Sequence, residues 1–140
     1  MTMQTYANTF GTATMAAGMV HHASKHIERM DAAVVDTDGA ATFTAAQILG
    51  GVILRDCVGS ARSDVLPTAA LLIGALKEDM HGQVIKCLIV NNSDAAETIT
   101  IVAGDGGTVT QIEATRIIPQ NTSRMVYIRI DSATAYTVWM

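Results

Sequence analysis

The segment Val84 to Val90, VIKCLIV, constrains the fold of this chain more than any other stretch. Its Val and Ile content favours a strand. Alternation sends Ile85, Cys87 and Ile89 to one face and Val84, Leu88 and Val90 to the other, together with Lys86. A strand apolar on both faces is normally covered on both sides. In a chain of 140 residues the second cover can be another copy of the chain. The Asn-Asn-Ser-Asp cluster after it is turn chemistry, and Thr98 to Val102 alternates Thr with Ile, so Val84 to Val102 reads as a β-hairpin. A lone Lys86 on that face belongs either at a wet rim or opposite a carboxylate across an interface.

Composition leaves two compatible readings: the apolar residues are mostly small, since Ala, Gly and Thr are abundant, or some surface is covered by partners. Charged residues are 16% of the chain and hydrophobic ones 49%, against a usual charged fraction of about 25%. The length suits one domain with its own core. A net charge of −4, with no Lys/Arg cluster, argues against nucleic acid as a partner. No run of 18 apolar residues predicts a transmembrane helix, and the first residues lack the basic and apolar regions of a secretory signal. The expectation is no membrane partner and assembly in a cytoplasm.

Residues 1–35 read as an N-terminal arm and 36–140 as a β-rich body. The arm is rich in Thr, Ala, Met and Gly, and Met15, Met19 and Val20 can share one stripe of a short helical turn. It is too apolar for an ordinary solvated tail and needs a surface to lie on. Within the segment His26 to Asp36, a first strand has its apolar end at Ala33 to Val35, and a turn follows at Asp36-Thr-Asp-Gly-Ala. Thr44 with Gln47 forms a capping box for a short helix that Gly50 or Gly51 stops. Val52 to Leu54 is a short strand, and Arg55 to Asp64 a loop whose Arg55, Asp56, Arg62 and Asp64 form an exposed ion-pair network of about 0–1 kcal/mol per pair. Leu66 to Leu76 is a second helix with Pro67 in its first turn. Strands are predicted at Thr108 to Ile112, Thr115 to Ile118, Arg124 to Ile130 and Ala135 to Trp139. In Arg124 to Ile130, Val126, Ile128 and Ile130 face the core while Tyr127 and Arg129 face outward. Short strands with turn signals every 8–12 residues predict an antiparallel β-sandwich or barrel, jelly-roll-like, with two short helices.

No constellation predicts chemistry. His22 and His26 lie four apart, but nothing in the spacing supplies a third ligand beyond His21 or the distant His81. Arginines beside Asp56 and Asp64 hold both ionised and argue against an acid/base pair. Asp36 to Gly39 does not fill the ligand positions of a Ca²⁺ loop, and Ala103-Gly-Asp-Gly-Gly does not continue into a phosphate-binding motif. Cys57 and Cys87 read as small buried thiols, and a disulfide would need the strands to bring them together. The expectation is no catalytic residue, no metal and no cofactor. A ligand-binding β-sandwich, for carbohydrate or as a fibre domain, is the alternative, with Tyr127, Tyr136 and Trp139 forming one aromatic patch.

TFTAAQILGGVILRD (Thr42 to Asp56), then Gly59, Arg62 and LPTAALLIGAL, then NNSDAAETITIVAGDGG, resembles small virion proteins of tailed bacteriophages, the capsid decoration or cement proteins and related head-fibre pieces. The resemblance covers about residues 42 to 110. It implies a β-rich body that trimerises on the capsid exterior and braces neighbouring major capsid proteins, with the arm anchoring it or exchanged between subunits. Candidate residues for the oligomer interface are Met15, Met19, Val20, Val84, Lys86, Leu88, Val90 and Trp139.

Overall fold

The computed structural model describes residues 30–77 and 79–140. Met15, Met19 and Val20, the three N-terminal histidines and most of the expected arm lie outside the described residues. The rest is mainly β with two short helices, as expected. The strands are β1 (Asp31–Asp36), β2 (Gly51–Asp56), β3 (Arg62–Val65), β4 (Val84–Asn91), β5 (Ile99–Val102), β6 (Gly107–Val109), β7 (Ile117–Ile118), β8 (Ser123–Ser132) and β9 (Ala135–Trp139). The helices are α1 (Ala45–Gly50) and α2 (Ala69–Leu76). One sheet has six strands in the order β1-β2-β4-β8-β9-β6, the other three in the order β3-β5-β7.

Both sheets are mixed, where wholly antiparallel ones were expected. β1 with β2, β2 with β4, β3 with β5 and β6 with β9 run parallel. The helices account for the first two of these pairs. Parallel neighbours need a crossover of a dozen or more residues, usually helical. α1 lies between β1 and β2 in the chain, and α2 between β2 and β4.

The hairpin expected over Val84 to Val102 does not form. Both edges of β4 are occupied, by β2 on one side and by β8 on the other, in registers that place Leu88 beside Val52 and Met125. β5 therefore lies in the second sheet, between β3 and β7. The Asn92 to Thr98 segment is a crossover between sheets. Asn91 anchors it: its buried side-chain amide donates to the carbonyls of Glu97 and Ile118, both at 2.9 Å.

The folded body also reaches further toward the N-terminus than the expected boundary at residue 36. Hydrogen bonding to β2 places Asp31–Asp36 at the edge of the larger sheet.

Local signals set the helices. Thr44 and Gln47 form the reciprocal capping box, and Gly51 takes the left-handed conformation (φ 93°) that ends α1. α2 begins later than expected. Thr68 caps it, so Pro67 precedes the cap and is not in the first turn. Ile48, Ala69 and Leu72 of the helices join Ile53, Cys87, Ile89, Val126, Ile128 and Val138 of the large sheet and Ile99, Ile101 and Ile118 of the small one in a single core. The Gly-rich loop after β5 is a packing device. A Cβ at Gly104 would clash with the carbonyl oxygen of Leu66. Its N–H donates to the buried Tyr136 hydroxyl, which itself donates to the Pro67 carbonyl.

Two charges sit inside this core. Arg55 and Asp64, expected on an exposed loop, occupy inward-facing positions of β2 and β3, each with 0% side-chain exposure. Arg62 pairs instead with the exposed Asp38. Arg55 Nε donates to Asp64 Oδ2 at 2.6 Å and its Nη2 to Oδ1 at 3.2 Å. The remaining guanidinium hydrogens go to the carbonyls of Thr37, Gly39 and Asp56. Burial opposes the guanidinium charge. The hydrogen bond to Asp64 and its negative charge outweigh that, and the Arg55 pKa moves up.

Candidate interaction surface

Side chains on the second face of the six-stranded sheet point away from the core. Register assigns them strand by strand. Val34 on β1 lies beside Leu54 on β2, and Val52 and Leu54 lie beside Leu88 and Val90 on β4. Leu88 lies beside Met125 on β8, Lys86 beside Tyr127, and Tyr127 beside Trp139 on β9. None of these residues belongs to the core cluster. Val34 is 64% exposed, Val84 47% and Tyr127 37%; Val52, Leu54, Leu88, Val90, Met125 and Trp139 are half-buried.

Val84, Lys86, Leu88, Val90 and Trp139, the candidate interface residues within the described chain, thus share one face. Val34, Val52, Leu54, Met125 and Tyr127 extend it across five strands. Sequence reasoning left out Val34, Val52, Leu54 and Met125 and placed Tyr127 as outward-facing and in an aromatic patch but not in the interface, because strand order decides which outward residues become neighbours. Part of the signal was present: Val52 and Leu54 in GVILRD, like Val84, Leu88 and Val90 in VIKCLIV, are apolar at alternate outward positions. Single exposed apolar residues are ordinary on a protein surface, whereas a contiguous patch marks an interaction site.

The ends of the patch are polar. Arg129 Nε donates to Asp131 Oδ1 at 2.6 Å, and Thr137 also donates to Asp131. Those two hydrogen bonds, led by Thr137, hold the Asp131 carboxyl below its usual range. Lys86 is exposed and forms no ion pair among the described residues. Tyr127 and Trp139 stack with ring centroids 6.0 Å apart and planes inclined by 14°. Tyr136 does not join them. It is one residue out of phase with Thr137 and Trp139 on β9, faces the core, and is 1% exposed. The three-ring patch expected for a sugar platform is therefore not formed.

Cys57 and Cys87 are free and buried. Burial pushes the Cys87 thiol up to about 12 from 9.0, and burial likewise raises that of Cys57. A thiol with a raised folded-state pKa stabilises the fold fully below its unfolded value, and that stability is lost as pH rises through the folded value. The wild type is expected to lose more stability than Cys87→Ala between pH 9 and pH 11, read as urea midpoints. Equal loss in both proteins would contradict this assignment. His81 lies on the loop after α2, where its backbone N–H donates to Asp79 Oδ1 at 3.0 Å.

No helix among the described residues is long and apolar enough to cross a membrane. Comparison with family models, curated proteins and solved structures finds no match.

Proposed function

We propose that this protein is a non-catalytic structural protein that self-associates through the outer face of its six-stranded sheet. The observation that carries this reading is the contiguous apolar surface from Val34 to Trp139. Covering such a surface with a second copy removes it from water at roughly 25 cal/mol per Å² of apolar area. The low charge content of the chain fits the same picture.

The resemblance of residues 42 to 110 to phage decoration proteins supplies the specific form: a homotrimer on a capsid exterior that braces neighbouring major capsid proteins, in a virion assembled in the host cytoplasm. A carbohydrate-binding role is less well supported. Among the described residues only Tyr127 and Trp139 offer rings on the outer face, and they spend part of their surface on each other.

Sedimentation of the full chain tests self-association. The expected mass is a multiple of 14.8 kDa, three copies if the resemblance holds. A folded monomer at tens of micromolar would count against the reading. Peptide mass spectrometry of purified virions tests the capsid role, with many copies per particle expected.

A further inference from the structure

We infer that Asp56, Asp94 and Glu97 form a site for a hard divalent cation, calcium, at the crossover between the two sheets. One oxygen from each carboxylate can be chosen so that all three lie within 4.8 Å of one another. Asp56 ends β2; Asp94 and Glu97 lie on the segment joining β4 to β5.

Three neighbouring carboxylates alone say little, because exposed acidic groups cluster without a ligand. Glu97 is different. It is 4% exposed, and neither carboxylate oxygen has a hydrogen-bond partner. Leaving a buried charge without a partner is costly, and buried charges are found paired or coordinated to metals. None of the three carboxylates forms an ion pair among the described residues. The neighbouring arginines are committed elsewhere, Arg55 to Asp64 and Arg62 to Asp38. Asp36 lies beside Asp56 in the β1–β2 register and adds a further negative charge to the region.

The frame around the three is fixed from both sides. Asn92 N–H donates to the Arg55 carbonyl at 2.8 Å, and Cys57 N–H donates to Ser93 Oγ at 3.0 Å. The crossover is thereby tied to β2 immediately before and after Asp56. Ser93 N–H donates to Asn91 Oδ1, and Asn91 donates to the Glu97 carbonyl, which holds Asp94 and Glu97 in one closed loop. Asp56 Oδ1 accepts from the Val58 N–H. All the donors are oxygens, the preference of Ca²⁺ and Mg²⁺ over softer metals. Calcium tolerates an irregular shell of mono- and bidentate carboxylates, whereas Mg²⁺ demands a near-ideal octahedron. A calcium ion here would clamp the two sheets together where the chain passes between them.

Isothermal titration of the EDTA-treated full chain with CaCl₂, and separately with MgCl₂, tests the site. The expected result is one Ca²⁺ per chain, bound more tightly than Mg²⁺, with a melting temperature that rises in Ca²⁺ and falls back with EDTA. Asp94→Asn, at an exposed position, and Glu97→Gln are each expected to weaken Ca²⁺ binding by on the order of tenfold or more. Asp105→Asn, an exposed acid on a different loop, leaves binding unchanged. Asp94→Asn keeps the test decisive if Glu97→Gln does not fold. No binding of either ion at millimolar concentration, or binding unaltered by Asp94→Asn, overturns the site. Tighter binding of Mg²⁺ than of Ca²⁺ overturns the assignment to calcium.

Discussion

Asp64→Ala is expected to destabilise the protein by about 3–5 kcal/mol, because it strands a guanidinium in the core. That is a large share of the roughly 5–15 kcal/mol that holds a domain of this size together. The side chains of Arg55 and Asp64 are inaccessible to water, and the pair is bidentate. Asp64 Oδ1 also accepts from the Ala41 N–H at 2.7 Å. Losing the carboxylate therefore breaks three hydrogen bonds and leaves a positive charge whose other partners are neutral carbonyls. The double replacement Arg55→Met with Asp64→Leu removes both charges and is expected to cost far less than Asp64→Ala. Urea denaturation of the wild type, Asp64→Ala and the double variant compares the two costs directly. A cost below about 1 kcal/mol for Asp64→Ala would show that the pair contributes no more than an exposed one.

Leu88→Glu is expected to leave the fold intact and abolish self-association. Leu88 sits mid-face, between Val52 and Met125, and is half-buried in the single chain. A carboxylate there stays wet in the monomer but is buried without a partner in an assembly. At least about 2 kcal/mol per interface, some 30-fold in association constant, is the expected penalty. The control is Leu71→Glu. Leu71 is 64% exposed, as open as any apolar residue on the outer sheet face, but it belongs to α2. Sedimentation should give a reduced mass for Leu88→Glu and the parent mass for Leu71→Glu. Equal behaviour of the two variants would remove the sheet face from consideration as the interface.

Alternation and local capping were legible in the chain itself. Val126, Ile128 and Ile130 face the core and Tyr127 and Arg129 face out, as period two requires. Thr44 and Gln47 cap α1 as their spacing dictates. Pairing was not legible, because a strand's edges carry no side-chain signature. Asn-Asn-Ser-Asp reads as a turn in either case, and only the occupation of both β4 edges shows that the chain crosses to another sheet.

The charged core was missed because polar residues near Gly and Ser were assigned to a loop. Alternation carried the correction. Arg55 follows Gly51 and Ile53 at a spacing of two, and Glu97 precedes Ile99 and Ile101 at the same spacing, which places both on buried faces. The Asp56, Asp94 and Glu97 grouping has no such signal, since the loop brings together residues 38 positions apart in the chain.

The position of β6 has a consequence for how the chain acquires its shape. In the large sheet β6 is bonded to β9 alone, and the intervening chain supplies β7 to the other sheet and β8 to the middle of this one. During synthesis β6 has no partner in its sheet until β9 has emerged. β4 likewise keeps one open edge until β8 arrives. Contacts this distant in sequence slow folding and leave apolar strand edges exposed in the meantime. The large sheet is therefore completed only once β9 is available, and until then its open strand edges can pair with those of other copies.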